Sequence, residues 1–463
     1  MKKILFSWVV LSIAFTAYAS PVSLSDAGVT ALTKDNIILN KDPIPNGGSI
    51  ESFGIAIAPN GNVVVGWEDD NGGIQAAWMM LDKTGKLINK DALSYAGDDG
   101  KPISNLGGWG PKIHANLYGD GISFGSSYFD WIGSDDPTDK IPTYESLGSD
   151  DSPAVQLINN DGSFNGKIIS AYPNDFVQRD GSIRIADAEL LSNGNIVVIG
   201  EDRQSGDGPD LFELPNASQV VIAGIVKPDR TIVKAPVAVQ QSDAKGEAWH
   251  GVATFTGGFG VRYSANGVKL RFFDNDLKPL TDEINVGDLD PNLNAGGRGD
   301  GAGWHGNGKG RFLLVGQLNG QVYAAVFDQM GKLVVGPVQA DESDAAQGLG
   351  ADRVDGAIDE AGNFVLAWRD QTLLDFAANT GVIAARFFNA DGTPKTKSFL
   401  VTATASDKWL AEDSNPRVAL HAGVAAMAWQ DANTDALAKQ EVAVRLFASP
   451  FAGTAVSHWD IME

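Results

Sequence analysis

Residues 53–88 read FGIAIAPNGNVVVGWEDDNGGIQAAWMMLDKTGKLI, and this stretch decides the fold. It parses as a strand, a turn at Pro59-Asn60-Gly61-Asn62, a strand ending Trp67-Glu68-Asp69, a loop, a strand ending Leu81-Asp82, a turn at Lys83-Thr84-Gly85-Lys86 and a last strand. Short apolar and β-branched runs punctuated by Asn-Gly are hairpin signals. The second run, Val63 to Trp67, has no polar face. A strand of that kind belongs to a sheet covered on both sides, and a single four-stranded sheet cannot cover itself.

The covering sheets are further copies of the same text. Residues 354–399 repeat its grammar, and other copies lie at 185–203, 259–279, 311–333 and 424–447, with a degenerate one over 111–172. Aligned on the end of the second strand, the copies mark Trp67, Tyr128, Gly200, Tyr263, Gly316, Trp368 and Trp429. The predicted fold is therefore all-β, a seven-bladed β-propeller of four-stranded antiparallel blades. Trp67, Trp368 and Trp429 read as packing between blades. An open ring would leave two unpaired sheet edges, so Asn36 to Asp42 (NIILNKD) is predicted to close it as the outer strand of the last blade, flanked by a C-terminal strand around Ala455 to Ile461. The chain then divides into 1–19, a leader; 20–48, a segment carrying the closing strand; and 49–463, the propeller.

The repeats, as in GNFVLAW at 362–368 and AARFFNADG at 384–392, resemble those of secreted bacterial β-propeller repeat proteins. The resemblance covers most of the chain after the leader. It implies the propeller and implies no activity.

Composition narrows the setting. Lys2 and Lys3 precede an apolar run from Ile4 to Ala14, and Ala17-Tyr18-Ala19 has the small residues a signal peptidase needs, so cleavage is expected after Ala19. No cysteine is present to carry a lipid, a disulfide or a thiolate site. A periplasmic or secreted protein is expected, without membrane insertion and monomeric. The net charge of −23 disfavours nucleic acid as a partner. A glycan or an extracellular protein is the expected partner.

Length variation concentrates on one rim. Residues 130–152, 203–218, 370–381 and 431–441 join second to third strands, while 92–110 and 287–302 join blades. Long loops on one side of a rigid scaffold are where binding resides. Near the starts of the innermost strands stand Trp109 and His114, Trp249-His250 and Trp304-His305, with Arg184, Arg353 and Arg417 at comparable places in other repeats. Three of the five histidines thus map to one ring. Imidazoles, guanidiniums and indoles around a channel suit an anionic ligand or a sugar ring.

Two readings follow from that set. One is a binding module for a glycan or other anionic ligand at the channel mouth. The other is a polysaccharide lyase on a uronic-acid glycan, with His250 and His305 in acid-base roles, Tyr263 or Tyr128 as the acid for the leaving oxygen and arginine neutralising the carboxylate. A structural partner in an envelope assembly is a third. Asp288, Asp290 and Asn292 alternate like the oxygens of a Ca2+ loop, without the glycine and terminal glutamate of an EF-hand.

Overall fold

The computed structural model describes residues 22–39, 53–69, 75–89, 92–93, 107–129, 152–170, 183–203, 219–246, 251–290, 293, 302–318, 320–341, 351–370, 382–402, 416–432 and 440–451. Expected strands around 455–461 and the leader lie outside them. Every strand but Ile37–Ile38 pairs antiparallel with a sequence neighbour, and the strands gather into seven separate sheets.

Blade one comprises Phe53–Ile57, Val63–Asp69 and Gln75–Leu81, with Leu87 and Leu93 in single antiparallel bridges to Leu81 and Trp78 where an outer strand would run. Blade two is Gly107–Ala115, Ile122–Phe129, Ser152–Ile158 and Phe164–Ser170, and blade three is Ile183–Leu190, Ile196–Arg203, Gln219–Val226 and Ile232–Ala238. Blade four is Val252–Phe255, Gly258–Ser264, Val268–Asp274 and Ile284–Asn285, and blade five is Ala302–Gly306, Arg311–Leu318, Gln321–Asp328 and Leu333–Gln339. Blade six is Ala351–Ile358, Phe364–Asp370, Val382–Phe388 and Phe399–Leu400. Blade seven is Arg417–His421, Val424–Ala432 and Gln440–Ala448, completed by Ile37–Ile38 from the other end of the chain. The first strand of each blade touches the first strand of the next, and blade seven returns to blade one. This is a seven-bladed β-propeller.

Closure follows the sequence expectation. Ile37 pairs with Val444 and Ile38 with Ala443, and the amide of Leu39 donates to Val442 O at 3.0 Å. The segment before that strand also grips blade six, because Val22 bridges Phe399 in parallel. Leu24, Ala27 and Ala31 pack on the cluster between blades six and seven.

Seven apolar clusters fill the seven interfaces between blades. Trp67 sits between blades one and seven, Trp429 between six and seven and Trp368 between five and six, each at most 2% exposed. No sheet buries its faces alone, so these interfaces are the core, and their apolar area supplies the main driving force. The turns obey local chemistry. In the three-four hairpin of blade one, Asp82 Oδ1 accepts from Thr84 N at 2.8 Å and Lys86 N at 3.0 Å, and Gly85 takes the positive φ (88°) that an L side chain resists.

The chain therefore has two unlike ends around its axis. One-two and three-four hairpins are tight and lie together. The ends of the long two-three loops, at Phe129 and Ser152, Arg203 and Gln219, Asp370 and Val382, and Ala432 and Gln440, lie at the opposite rim.

Candidate binding channel

The seven first strands enclose a cavity of about 650 Å³, counting its open space. Its wall alternates apolar and polar side chains: Ile55, Ile57, Ile113 and Leu420 among the former, His114, Glu189, His305, Asn307, Glu360 and His421 among the latter. At the hairpin end, blade two reaches blade five. The Tyr118 hydroxyl donates to Gly308 O at 2.9 Å, and Thr256 N donates to the same carbonyl at 3.1 Å. Gly308 has φ of 71°, and Leu117 Cδ1 would lie 3.1 Å from any Cβ there, so the hairpins are tied tightly beneath the cavity.

Two histidine–aspartate pairs stand on the wall. His114 Nε2 of blade two lies 2.5 Å from Asp187 Oδ1 of blade three, and Asp187 Oδ2 accepts from Val252 N of blade four at 3.1 Å. His305 Nε2 of blade five lies 2.7 Å from Asp355 Oδ1 of blade six, and Asp355 Oδ2 accepts from Val418 N of blade seven at 2.9 Å. The arrangement is the same, three blades further round. Both aspartates are buried, and the imidazoles are 20% and 28% exposed, toward the channel. Nε2 of each ring is engaged by its aspartate, and among the described residues Nδ1 has no protein partner.

Protonation follows from these contacts. Burial opposes charging His114, but Asp187 in contact and Glu189 nearby outweigh it and raise the imidazole to about 9. Burial pushes the Glu189 carboxyl up to about 7, with His114 pulling it down and Asp187 adding to the rise. Asp355 is held below the usual carboxylate range, because His305 and Arg417 overcome its burial. Burial keeps His421 below the ordinary imidazole value.

The sequence-named residues separate into several groups. His114 and His305 do occupy equivalent places, as their matched contacts show. Val252 faces Val261 as Trp304 faces Leu314, and each packs toward the preceding blade, so Val252 and Ala253 of blade four take the places that Trp304 and His305 take in blade five. Trp249 and His250 themselves lie outside the described residues. Trp109, Arg184 and Arg353 lie on the first strands of blades two, three and six, their side chains outside the description.

Two assignments need correction. Trp304 is no sugar platform: it is 2% exposed, stacked on Phe312 with ring centroids 5.2 Å apart, and its Nε1 donates to Gly260 O at 3.2 Å. Tyr263 does not reach the channel. It is buried between blades three and four, its hydroxyl donates to Glu283 Oε2 at 2.5 Å, and burial with that carboxylate pushes it above the ordinary phenol value. The lyase scheme thereby loses Tyr263 as its acid, and the side chain of the alternative, Tyr128, lies outside the described residues. Arg417 is buried, donates from Nη1 to Pro416 O at 3.0 Å and acts electrostatically on Asp355. Asp288 and Asp290 belong to a short helical turn, Val286–Leu289, with Asp290 as its C-cap, and Asn292 lies outside the described residues. Among those residues no three metal-ligating side chains converge.

Sequence reasoning missed the acids. Asp187, Asp355 and Glu189 stand in the first strands IRIADAEL and ADRVDGAI, where a carboxylate amid apolar residues was the available signal. With them present, the described bases of the channel are matched by acids, so the wall is mixed in sign rather than cationic.

No family model matches this chain, and no curated protein does. Several solved structures superpose on it. A protein of unknown function from Dyadobacter fermentans does so with TM-score 0.43 and 12% identity, over 91% of this chain and 99% of that one. A polysaccharide lyase gives 0.44 and 8%, over 91% and 98%. An α-L-arabinofuranosidase of Fusarium graminearum, in complex with arabinobiose, gives 0.43 and 10%, over 90% and 98%. At that similarity none of the three carries an activity over to this chain.

Proposed function

We propose that this protein is an exported binding module that takes a glycan in its central channel. One observation carries the reading: two imidazoles, on blades two and five, are oriented by buried aspartates through Nε2 and leave Nδ1 for a ligand. Pre-oriented polar atoms set among apolar patches suit a sugar, which offers hydroxyls at its edges and C–H surface on its faces. Ile55, Ile113 and Leu420 supply the apolar patches.

The test is calorimetric titration with a panel of neutral, acidic and amino oligosaccharides, run beside an assay for unsaturated sugar ends. At least one glycan is expected to bind without cleavage. His114→Gln and His305→Gln each keep a donor toward the aspartate and remove Nδ1, so together they are expected to weaken binding at least tenfold while the protein still unfolds cooperatively. Failure of every glycan to bind, or binding indifferent to both substitutions, overturns the reading, and steady product formation replaces it with an enzyme.

A further inference from the structure

Glu189 is the polar group in the channel that the fold leaves unfinished. It stands one residue before the end of the first strand of blade three, lines the cavity and is only 5% exposed, yet its Oε2 is sealed from water and has no hydrogen-bond partner among the described residues. Thr254, fully buried beside it, favours the charged form of Glu189 through both its hydroxyl and its amide, yet neither the Thr254 hydroxyl nor Glu189 Oε2 completes a hydrogen bond of ordinary geometry. A carboxylate oxygen removed from water without a partner is costly to the fold and gains from any donor that reaches it. Such a deficit is repaired by whatever enters the cavity and donates.

The character of the donor follows from the charges on this wall. His114 is already committed to Asp187, and Glu360 adds a second acid to the same wall. His421, facing them, is kept neutral by burial, and the Tyr118 hydroxyl is spent on Gly308. Asp187 and Glu360 on this wall face a charged His114 with the buried Lys112 acting on it, charges that largely cancel, so the donor is decided by Glu189 itself, inside a protein of net charge −23 that draws cations toward itself. A charged donor gains more from a desolvated carboxylate than a hydroxyl does.

We propose that Glu189 forms a subsite for a protonated primary amine, so that the preferred ligand is a glycan carrying a free amino group rather than an acetylated, neutral or acidic one. This rests on the channel being a glycan site. It reverses the anionic ligand expected from the histidines and arginines, because the acids that flank them were not legible as neighbours.

The experiment compares fully de-acetylated and fully acetylated glucosamine trimers by calorimetry at pH 7.5, above the Glu189 value of about 7, and at constant ionic strength. The de-acetylated trimer is expected to bind at least tenfold more tightly. Glu189→Gln keeps the shape and removes the charge, and it is expected to bring the two affinities within twofold of each other. Asp276→Asn, on an exposed turn of blade four, removes a negative charge far from the channel wall and is expected to keep the preference. Equal affinities in the wild type, no binding of either trimer, or a preference that survives Glu189→Gln overturns the amine subsite. Binding of other glycans in those cases leaves the channel reading standing, and silence across the whole panel removes both. A thermal melt of Glu189→Gln checks its fold; should that variant be unstable, the wild-type comparison of the two trimers decides alone.

Discussion

Asp355 joins three blades at once: its Oδ1 lies 2.7 Å from His305 Nε2 of blade five, and its Oδ2 accepts the amide of Val418 on blade seven. Asp187 does the same for blades two, three and four. Inner strands of neighbouring blades share no backbone ladder, so these carboxylates supply polar stitches that the sheets cannot. Removing one leaves an imidazole and an amide without their acceptor.

Asp355→Ala is accordingly expected to destabilise the protein by about 3 kcal/mol, the usual cost of breaking a buried pair from one side. Asp355→Asn, which keeps an acceptor for Val418, is expected to cost less. Urea unfolding followed by tryptophan fluorescence measures both, and equal stability of wild type and Asp355→Ala would count against the stitch.

The two pairs carry opposite pH signatures. Asp355 has a lowered folded pKa, so its contribution is full above the unfolded carboxylate value and disappears as pH falls through the folded one. His114 has a raised pKa of about 9, so its contribution is full below the ordinary imidazole value near ~6.5 and is lost as pH rises through about 9. The stability gap between wild type and His114→Gln is therefore expected to be widest at pH 6 and to shrink by pH 10. A gap constant across that range would show that His114 gains no proton affinity on folding.

Gly303 is required by the pair next to it. A Cβ on Gly303 would lie 2.6 Å from Asp355 Oδ1 and 2.8 Å from His305 Nε2. Gly303→Ala is expected to push the pair apart, costing about 2 kcal/mol and weakening ligand binding. Gly166 offers the contrast: its φ is 75° but nothing lies within 4 Å of a Cβ there. Gly166→Ala is expected to cost only the left-handed backbone penalty of about 1 kcal/mol and to leave binding unchanged.

Deleting residues 20–39 removes the outer strand of blade seven and uncovers the edge at Val442 to Phe447. The truncated protein is expected to melt at lower temperature and to aggregate, by thermal denaturation with light scattering, because an exposed sheet edge is a template for pairing between chains. Trp429→Ala, in the adjacent cluster, is expected to cost about 3–5 kcal/mol.

What was legible along the chain was whatever neighbours in sequence dictate. The apolar second strands and Asn-Gly turns specify short hairpins, their repetition specifies sheets covered on both faces, and unpaired edges demand a closing strand, which Ile37–Ile38 provides. Trp67, Trp368 and Trp429 were assignable to packing for the same reason, since each ends an apolar run.

The channel was another matter. Histidines at matching places in the text suggested a cationic ring, yet the partners that neutralise them, 73 residues away for His114 and 50 for His305, lie on the next blade. Nor did repeated words guarantee repeated positions: it is Val252-Ala253 that matches Trp304-His305 in blade five, and Trp304 went to the core. Local propensity and pattern set the blades, because they act over a few residues. Which side chains meet at the axis was decided only when seven sheets packed into a closed ring, since side chains alternate between faces along a strand and small shifts of register send each one to a different neighbour.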